Sequence, residues 1–242
     1  MKNLLLCLLL VFFCASCEVE TAKFESTHPL PEAVTLGQRS LTDSLSNSNN
    51  PYDYCGQLFL ELHQAYFVGV RDSLALDALV LAVERVSEES AGFTAIKPRV
   101  YQAPLPERVR YFVTSKDSCL TTVLDGSGLS EAAASSFNAF VLEYLSLCAS
   151  SADYPSIYSF VYHYEATVLG DLRFNAFDQK VLLISSSVAR YSAAAKKKRP
   201  KKNTDPAWEF LICGIYGSLE GAASSPAEAV TLALAAAIAE NQ

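Results

Sequence analysis

Apolar residues return every fourth position at Tyr54, Leu58, Leu62 and Tyr66, which predicts one stripe of an α-helix. Its start is marked by Asn50, whose side chain can accept from first-turn N–H groups, by Pro51, suited to the first helical position, and by Asp53, favoured at the positive end of the helix dipole. A second helix starts near Asp72 or Ser73 and carries Leu76, Leu79, Val80, Val83 and Val86 until Glu88, Glu89 and Gly92 end it. Residues 92–128 have the weakest pattern, because Pro98, Pro104 and Pro106 interrupt it. Within them Arg108 to Val113 fits a short helix or an edge strand, and Asp125-Gly126-Ser127-Gly128 reads as a turn.

Helical periodicity then returns and stays. Residues 129–149 carry Phe137, Phe140, Val141, Tyr144, Leu145 and Cys148 along one side. Asp153 with Pro155 opens a helix containing Ile157, Tyr158, Val161, Tyr162 and Val168, and Gly170 stops it. Asn175-Ala176-Phe177-Asp178 has the form of a cap, with its carboxylate three residues on, and leads into Val181, Leu182, Ile184, Val188 and Tyr191. Asp205-Pro206 and Ser225-Pro226-Ala227-Glu228 repeat the cap-plus-proline start. The expectation is an all-α fold, a multi-helix bundle of about seven helices, with no internal repeat of fixed period.

The N-terminal pattern differs in kind. Met1-Lys2-Asn3 is polar with one cation, and residues 4–13 form an apolar run too short for a stable membrane-spanning helix. Cys14-Ala15-Ser16-Cys17 follows, with small residues ahead of a thiol that can take a diacylglyceryl group. This resembles the bacterial lipobox, although Cys14 stands where an aliphatic residue is usual. Residues 1–16 are therefore expected to be a signal peptide, and Cys17 the lipidation site. An ordinary signal peptide and an uncleaved anchor are the competing readings. Residues 17–50 are expected to be a disordered tether, since residues 40–50 are rich in Ser, Asn and Thr, whose side chains compete with their own backbone. The remaining boundaries are a helical domain at 51–195, a basic linker at 196–204 and an apolar helical hairpin at 205–242.

Composition narrows the partners. Half the chain is hydrophobic, and a net charge of −7 becomes −8 once Lys2 is removed with the signal. Six cations, Lys196, Lys197, Lys198, Arg199, Lys201 and Lys202, sit together, so the rest is more acidic still. An acidic body argues against nucleic acid as a partner. The basic run itself reads as a solvated linker or as a contact with anionic lipid head groups or lipopolysaccharide phosphates. Past it, residues 210–219 and 229–239 are uncharged runs broken by Glu220 and Glu228, and neither is long enough to span a bilayer. Their Ala, Gly and Ser content fits a close antiparallel hairpin that closes the bundle, or one that inserts into a membrane or self-associates.

Candidate chemistry is sparse. Cys55, Cys119, Cys148 and Cys213 lack any metal-binding spacing and are either two disulfides or buried thiols. Glu61/His63 and His163/Glu165 stand two residues apart, about 200° around a helix, so neither pair chelates alone. A carboxylate-bridged metal site would want them three apart. Tyr154, Tyr158, Tyr162 and Tyr164 fit a packed helix stripe or an aromatic ligand site. No Gly-x-Ser-x-Gly or phosphate loop is present, and no catalytic residue, metal or cofactor is expected.

The opening Asn50-Pro51-Tyr52-Asp53-Tyr54-Cys55-Gly56-Gln57 resembles that of a family of uncharacterised Bacteroidetes-type lipoproteins. The likeness extends loosely to Val188-Ala189-Arg190-Tyr191-Ser192, to a basic stretch and to an Ala/Gly-rich C-terminus, here with Gly214, Gly217 and Gly221. It implies a lipid-anchored helical protein of the cell envelope, at the outer membrane, and carries no activity. The expected role is a non-catalytic structural or interaction module with an envelope protein partner or self-association. The alternative is a membrane-active protein that inserts its C-terminal hairpin.

Overall fold

The computed structural model describes residues 45–69, 73–150, 153–197 and 207–240. The signal peptide, Cys17, most of the tether, the cap at Asp205-Pro206 and four of the six cations (Lys198, Arg199, Lys201 and Lys202) lie outside them. The chain divides into two compact units, residues 1–38 and 39–242, and all that follows concerns the second.

Ten α-helices and no strand are present among the described residues: α1 (Asp53–Gly69), α2 (Leu76–Glu88), α3 (Ala91–Ile96), α4 (Pro106–Thr114), α5 (Lys116–Gly126), α6 (Glu131–Ala149), α7 (Tyr154–Gly170), α8 (Ala176–Lys197), α9 (Ala207–Ser224) and α10 (Pro226–Glu240). The all-α expectation holds. The three helices beyond the seven are α3, α4 and α5, which lie in the stretch of weakest pattern apart from the first residue of α3. Ser90 Oγ accepts from Phe93 N at 3.2 Å to cap α3, and Pro106 starts α4, so the residues that break the periodicity also begin helices.

The expected caps form. Asp153 accepts from Ser156 N at 3.0 Å, and Ser225 Oγ accepts from Glu228 N at 3.2 Å. Asn175 Oδ1 accepts from Asp178 N at 3.0 Å while Asp178 Oδ2 accepts from Asn175 N at 3.2 Å, a reciprocal capping box. Asp178, fully buried, also accepts from Ser130 N at 2.9 Å and Ser130 Oγ at 2.8 Å, and so ties the start of α6 to the start of α8.

α8 is the central element. Residues 181–195 are buried on every face, and the helix touches α1, α6, α7, α9 and α10. The hairpin of α9 and α10 belongs to the same unit and does not stand apart as a separate 205–242 piece, because α10 also packs against α1, α2 and α4. Residues 229–238 of α10 are all buried. Close approach of α9 and α10 depends on Gly217 and Gly221: a Cβ at either would lie 2.7 Å from Leu232 O or 2.5 Å from Ala229 N. Glu220 of α9, half-buried, is met by Arg108 of α4, whose Nε donates to both carboxylate oxygens at 2.6 and 2.8 Å. By length and composition α6 is apolar enough to cross a membrane, but one face of it carries core residues of this body.

The tether expectation needs one correction. Residues 45–50 are part of the body: Leu45, Asn47 and Asn50 are buried. Their side-chain amides donate to groups on α7 and α8, while the Asn47 and Asn50 side-chain oxygens accept locally from Asn49 N and Tyr52 N.

Cys55, Cys119, Cys148 and Cys213 are all buried, and none is in a disulfide. Burial pushes the Cys55 and Cys119 thiols up to about 12. At neutral pH that leaves on the order of a thousandfold less thiolate than an exposed Cys. These four thiols should therefore resist a disulfide-exchange reagent in the folded chain and react once guanidinium unfolds it. Rapid native labelling of any of the four would contradict this packing.

A closed charge cluster as the candidate functional site

Glu165 on α7 and Arg190 on α8 are opposite charges, each set in a long uncharged stretch. Glu165 is the only ionic residue of α7, and Arg190 the only one between residues 181 and 195 of α8. Both are 0 % exposed, and Arg190 is the largest fully buried side chain among the described residues. A charge buried in an apolar interior needs a partner and hydrogen bonds. The fold supplies both.

Arg190 Nη2 donates to Asp53 Oδ1 at 2.6 Å and to the two Glu165 oxygens at 3.1 and 3.2 Å. Its Nη1 donates to the Leu45 carbonyl. Glu165 also accepts from Asn47 Nδ2 at 2.6 Å, Asn50 Nδ2 at 2.9 Å and Ser186 Oγ at 3.2 Å. Asp53 accepts from Gln57 Nε2 at 2.8 Å, Tyr191 OH at 3.2 Å and Asn47 N at 3.2 Å. Asn50 Nδ2 further donates to Leu183 O at 3.0 Å, and its Oδ1 accepts from Tyr52 N at 2.8 Å. Asn50 is thus both the expected cap of α1 and a bolt between α7 and α8.

The backbone joins the same network. Gly56 N donates to Ser187 Oγ at 3.0 Å, and Ser187 Oγ donates to Asp53 O at 3.0 Å. One hydroxyl on α8 thereby bonds to the α1 backbone twice, accepting from one residue and donating to another. The two segments singled out by sequence, residues 50–57 and 188–192, meet face to face here.

Two carboxylates share one guanidinium, so the cluster carries a net negative charge when all three are ionised. Burial raises the Glu165 carboxyl above the usual carboxylate range, against the pull of Arg190 and of the Asn47 and Asn50 amides. Burial alone would lower Arg190, yet Glu165 and Asp53 together hold it above its ordinary value. The guanidinium stays charged.

The other sequence candidates go elsewhere. His63 is buried between the Phe59 and Phe67 rings, while Glu61 lies exposed and accepts from Ser90 Oγ at 2.9 Å. His163 is exposed and contacts Ser159 O at 2.6 Å within its own helix. Glu61, His63, His163 and Glu165 therefore do not form one site, and among the described residues no three His, Cys, Asp or Glu are grouped to hold a metal. Tyr164 stacks on Phe140, with centroids 4.2 Å apart. Tyr158 and Tyr162 face the 45–50 segment: Tyr158 OH donates to Ser46 O at 3.0 Å and Tyr162 OH accepts from Asn49 Nδ2 at 3.1 Å. Lys196 and Lys197 fall in the last turn of α8. A surface cleft of about 380 Å³ is lined by Glu61, Leu62, Ala65, Arg85, Val86 and Glu89, none of them part of the cluster.

The participants Asp53, Arg190 and Glu165 were each visible in the sequence, but their pairing was not. For Glu165 and Arg190 the signal is a single charge within a long uncharged stretch; Asp53 carries no such mark, since Glu61 shares its helix. No family model, no curated protein and no solved structure matches the chain.

Proposed function

We propose that the chain is a lipid-anchored bacterial envelope protein, attached to the outer membrane through Cys17, whose helical body is a non-catalytic structural or interaction module. The observation that carries the anchor is the order polar start, apolar run, Ala15-Ser16-Cys17. A single acyl chain binds a bilayer weakly, at about 0.8 kcal/mol per buried CH₂, so the two or three chains of a bacterial lipoprotein are what make attachment lasting.

The module reading is supported by where the polar chemistry lies. Asp53, Glu165 and Arg190 bond to one another and to residues 45–50, so what they supply is a fixed geometry of α1, α7 and α8. The cations at Lys196, Lys197, Lys198, Arg199, Lys201 and Lys202 offer a patch for anionic head groups.

The test is metabolic labelling of the full chain with a fatty acid in a bacterial host. Label should enter the wild-type protein and be lost from Cys17→Ser. Label retained by Cys17→Ser would overturn the anchor.

A further inference from the structure

Residues 45–50 lie on the body the way a bound peptide lies in a groove. Residues 47–50 close in a turn, with Asn50 N donating to Asn47 O at 3.0 Å, and side chains of other elements read the segment. Leu45 is 1 % exposed and inserts as an apolar anchor. Its carbonyl is held by Arg190, the next carbonyl by Tyr158 OH at 3.0 Å, and Asn49 Nδ2 by Tyr162 OH at 3.1 Å. Asn47 is read twice, through its backbone N–H by Asp53 at 3.2 Å and through its amide by Glu165 at 2.6 Å. Only Ser48 and Asn49 face solvent.

We propose that the groove formed by the start of α1, the Tyr158–Tyr162 stripe of α7 and Arg190 of α8 is a peptide-recognition site, which the chain fills with its own residues 45–50. The ligand class follows from the seated segment. It is a short, turn-forming peptide with a large aliphatic residue and, two positions later, an asparagine, whose amide matches Glu165 and whose preceding carbonyls match Arg190 and Tyr158. A partner's peptide of this kind takes the site when the chain's own segment is displaced. Covalent attachment gives that segment an effective concentration of about millimolar, so the resting site is closed.

This reading is independent of the lipid anchor. The test uses the full chain and a fluorescent peptide with the sequence of residues 43–50, Asp-Ser-Leu-Ser-Asn-Ser-Asn-Asn. In the double variant Leu45→Ser/Asn47→Ala the internal segment loses its anchor and the Asn47 amide bond to Glu165. The peptide should then bind saturably, about a hundredfold more tightly than to wild type, where the internal copy competes. Replacing the peptide's first asparagine by alanine should weaken that binding by about tenfold.

Tyr158→Phe provides a second, milder opening, since it removes one hydroxyl and leaves every charge in place. Amide exchange at residues 45–49 should speed up by about tenfold in this variant, with exchange in α9 and α10 unchanged. No peptide binding by a double variant that keeps its helical content overturns the proposal. So does exchange in Tyr158→Phe that rises across the whole body together, because the segment would then be inseparable from the core.

Discussion

Arg190→Met should lower the stability of the folded chain by about 3–5 kcal/mol, the range found when one partner of a buried ion pair is removed. The guanidinium is 0 % exposed and meets both Asp53 and Glu165, so its loss leaves two carboxylates in a dry interior with amide and hydroxyl donors alone. Methionine keeps most of the apolar volume of the stem, which limits any added cavity. The deficit would be read from guanidinium denaturation followed by circular dichroism. Replacing all three charges, in Arg190→Met/Asp53→Asn/Glu165→Gln, should recover most of it, since apolar or neutral replacements of a complete buried cluster are often close to neutral. Stability in the triple variant as low as in the single one would mean that the cost came from packing rather than charge.

The pH dependence of that deficit has a definite sign. Burial already holds the Glu165 carboxyl above its unfolded value, and removing Arg190 takes away the charge that opposes this rise. A carboxyl with a raised folded pKa contributes stability that is full below its unfolded pKa and is lost as pH rises through the folded one. Arg190→Met should therefore come closer to wild type as pH falls from 7 toward the ordinary carboxylate range. A deficit that grows over that interval would show that Glu165 is not the group left exposed to the penalty.

Most helices of this body were legible because each has a long apolar face and a chemically marked start. Asp153, Asn175 with Asp178, and Ser225 with Pro226 all act as the sequence implies. The failures have a common physical cause in the number of residues available to make a pattern. α4 buries only Val109 and Phe112, and α3 only Phe93, so neither completes two periods of 3.6. The charge cluster was illegible for another reason. Periodicity says which face of a helix is buried but not which helix it meets, and the three charges are separated by 25, 112 and 137 positions along the chain. Residues 45–50 show the limit of composition. Asparagine and serine usually favour irregular, solvated backbone because they bond locally. Here Asn47 and Asn50 direct those same amides to Glu165, and a segment that reads as tether becomes part of the core.

Gly56→Ala should be the most damaging single methyl addition at the α1–α8 contact, with a cost of about 3 kcal/mol, at the upper end of what overpacking produces. Helix propensity argues the other way, because alanine in place of a helical glycine is ordinarily favourable by about 1 kcal/mol. Packing decides the sign. A Cβ at position 56 would meet the Tyr191 ring and would lie 2.5 Å from Ser187 Oγ and 2.6 Å from Ser187 O. The ring has room to give only by moving the hydroxyl that serves Asp53, and the carbonyl belongs to α8, whose buried stretch is packed on every side. α1 must therefore retreat. In doing so it stretches the bonds from Gly56 N to Ser187, from Ser187 to Asp53 O and from Arg190 to Asp53, so one methyl loosens the whole cluster. Gly69→Ala, at the far end of the same helix, has nothing within 4 Å of its added carbon and serves as the control. Thermal or chemical denaturation of the pair should show Gly69→Ala within about 1 kcal/mol of wild type. Gly56→Ala as stable as Gly69→Ala would mean that α1 and α8 do not approach this closely, and with that the geometry that joins residues 50–57 to residues 188–192 would fall.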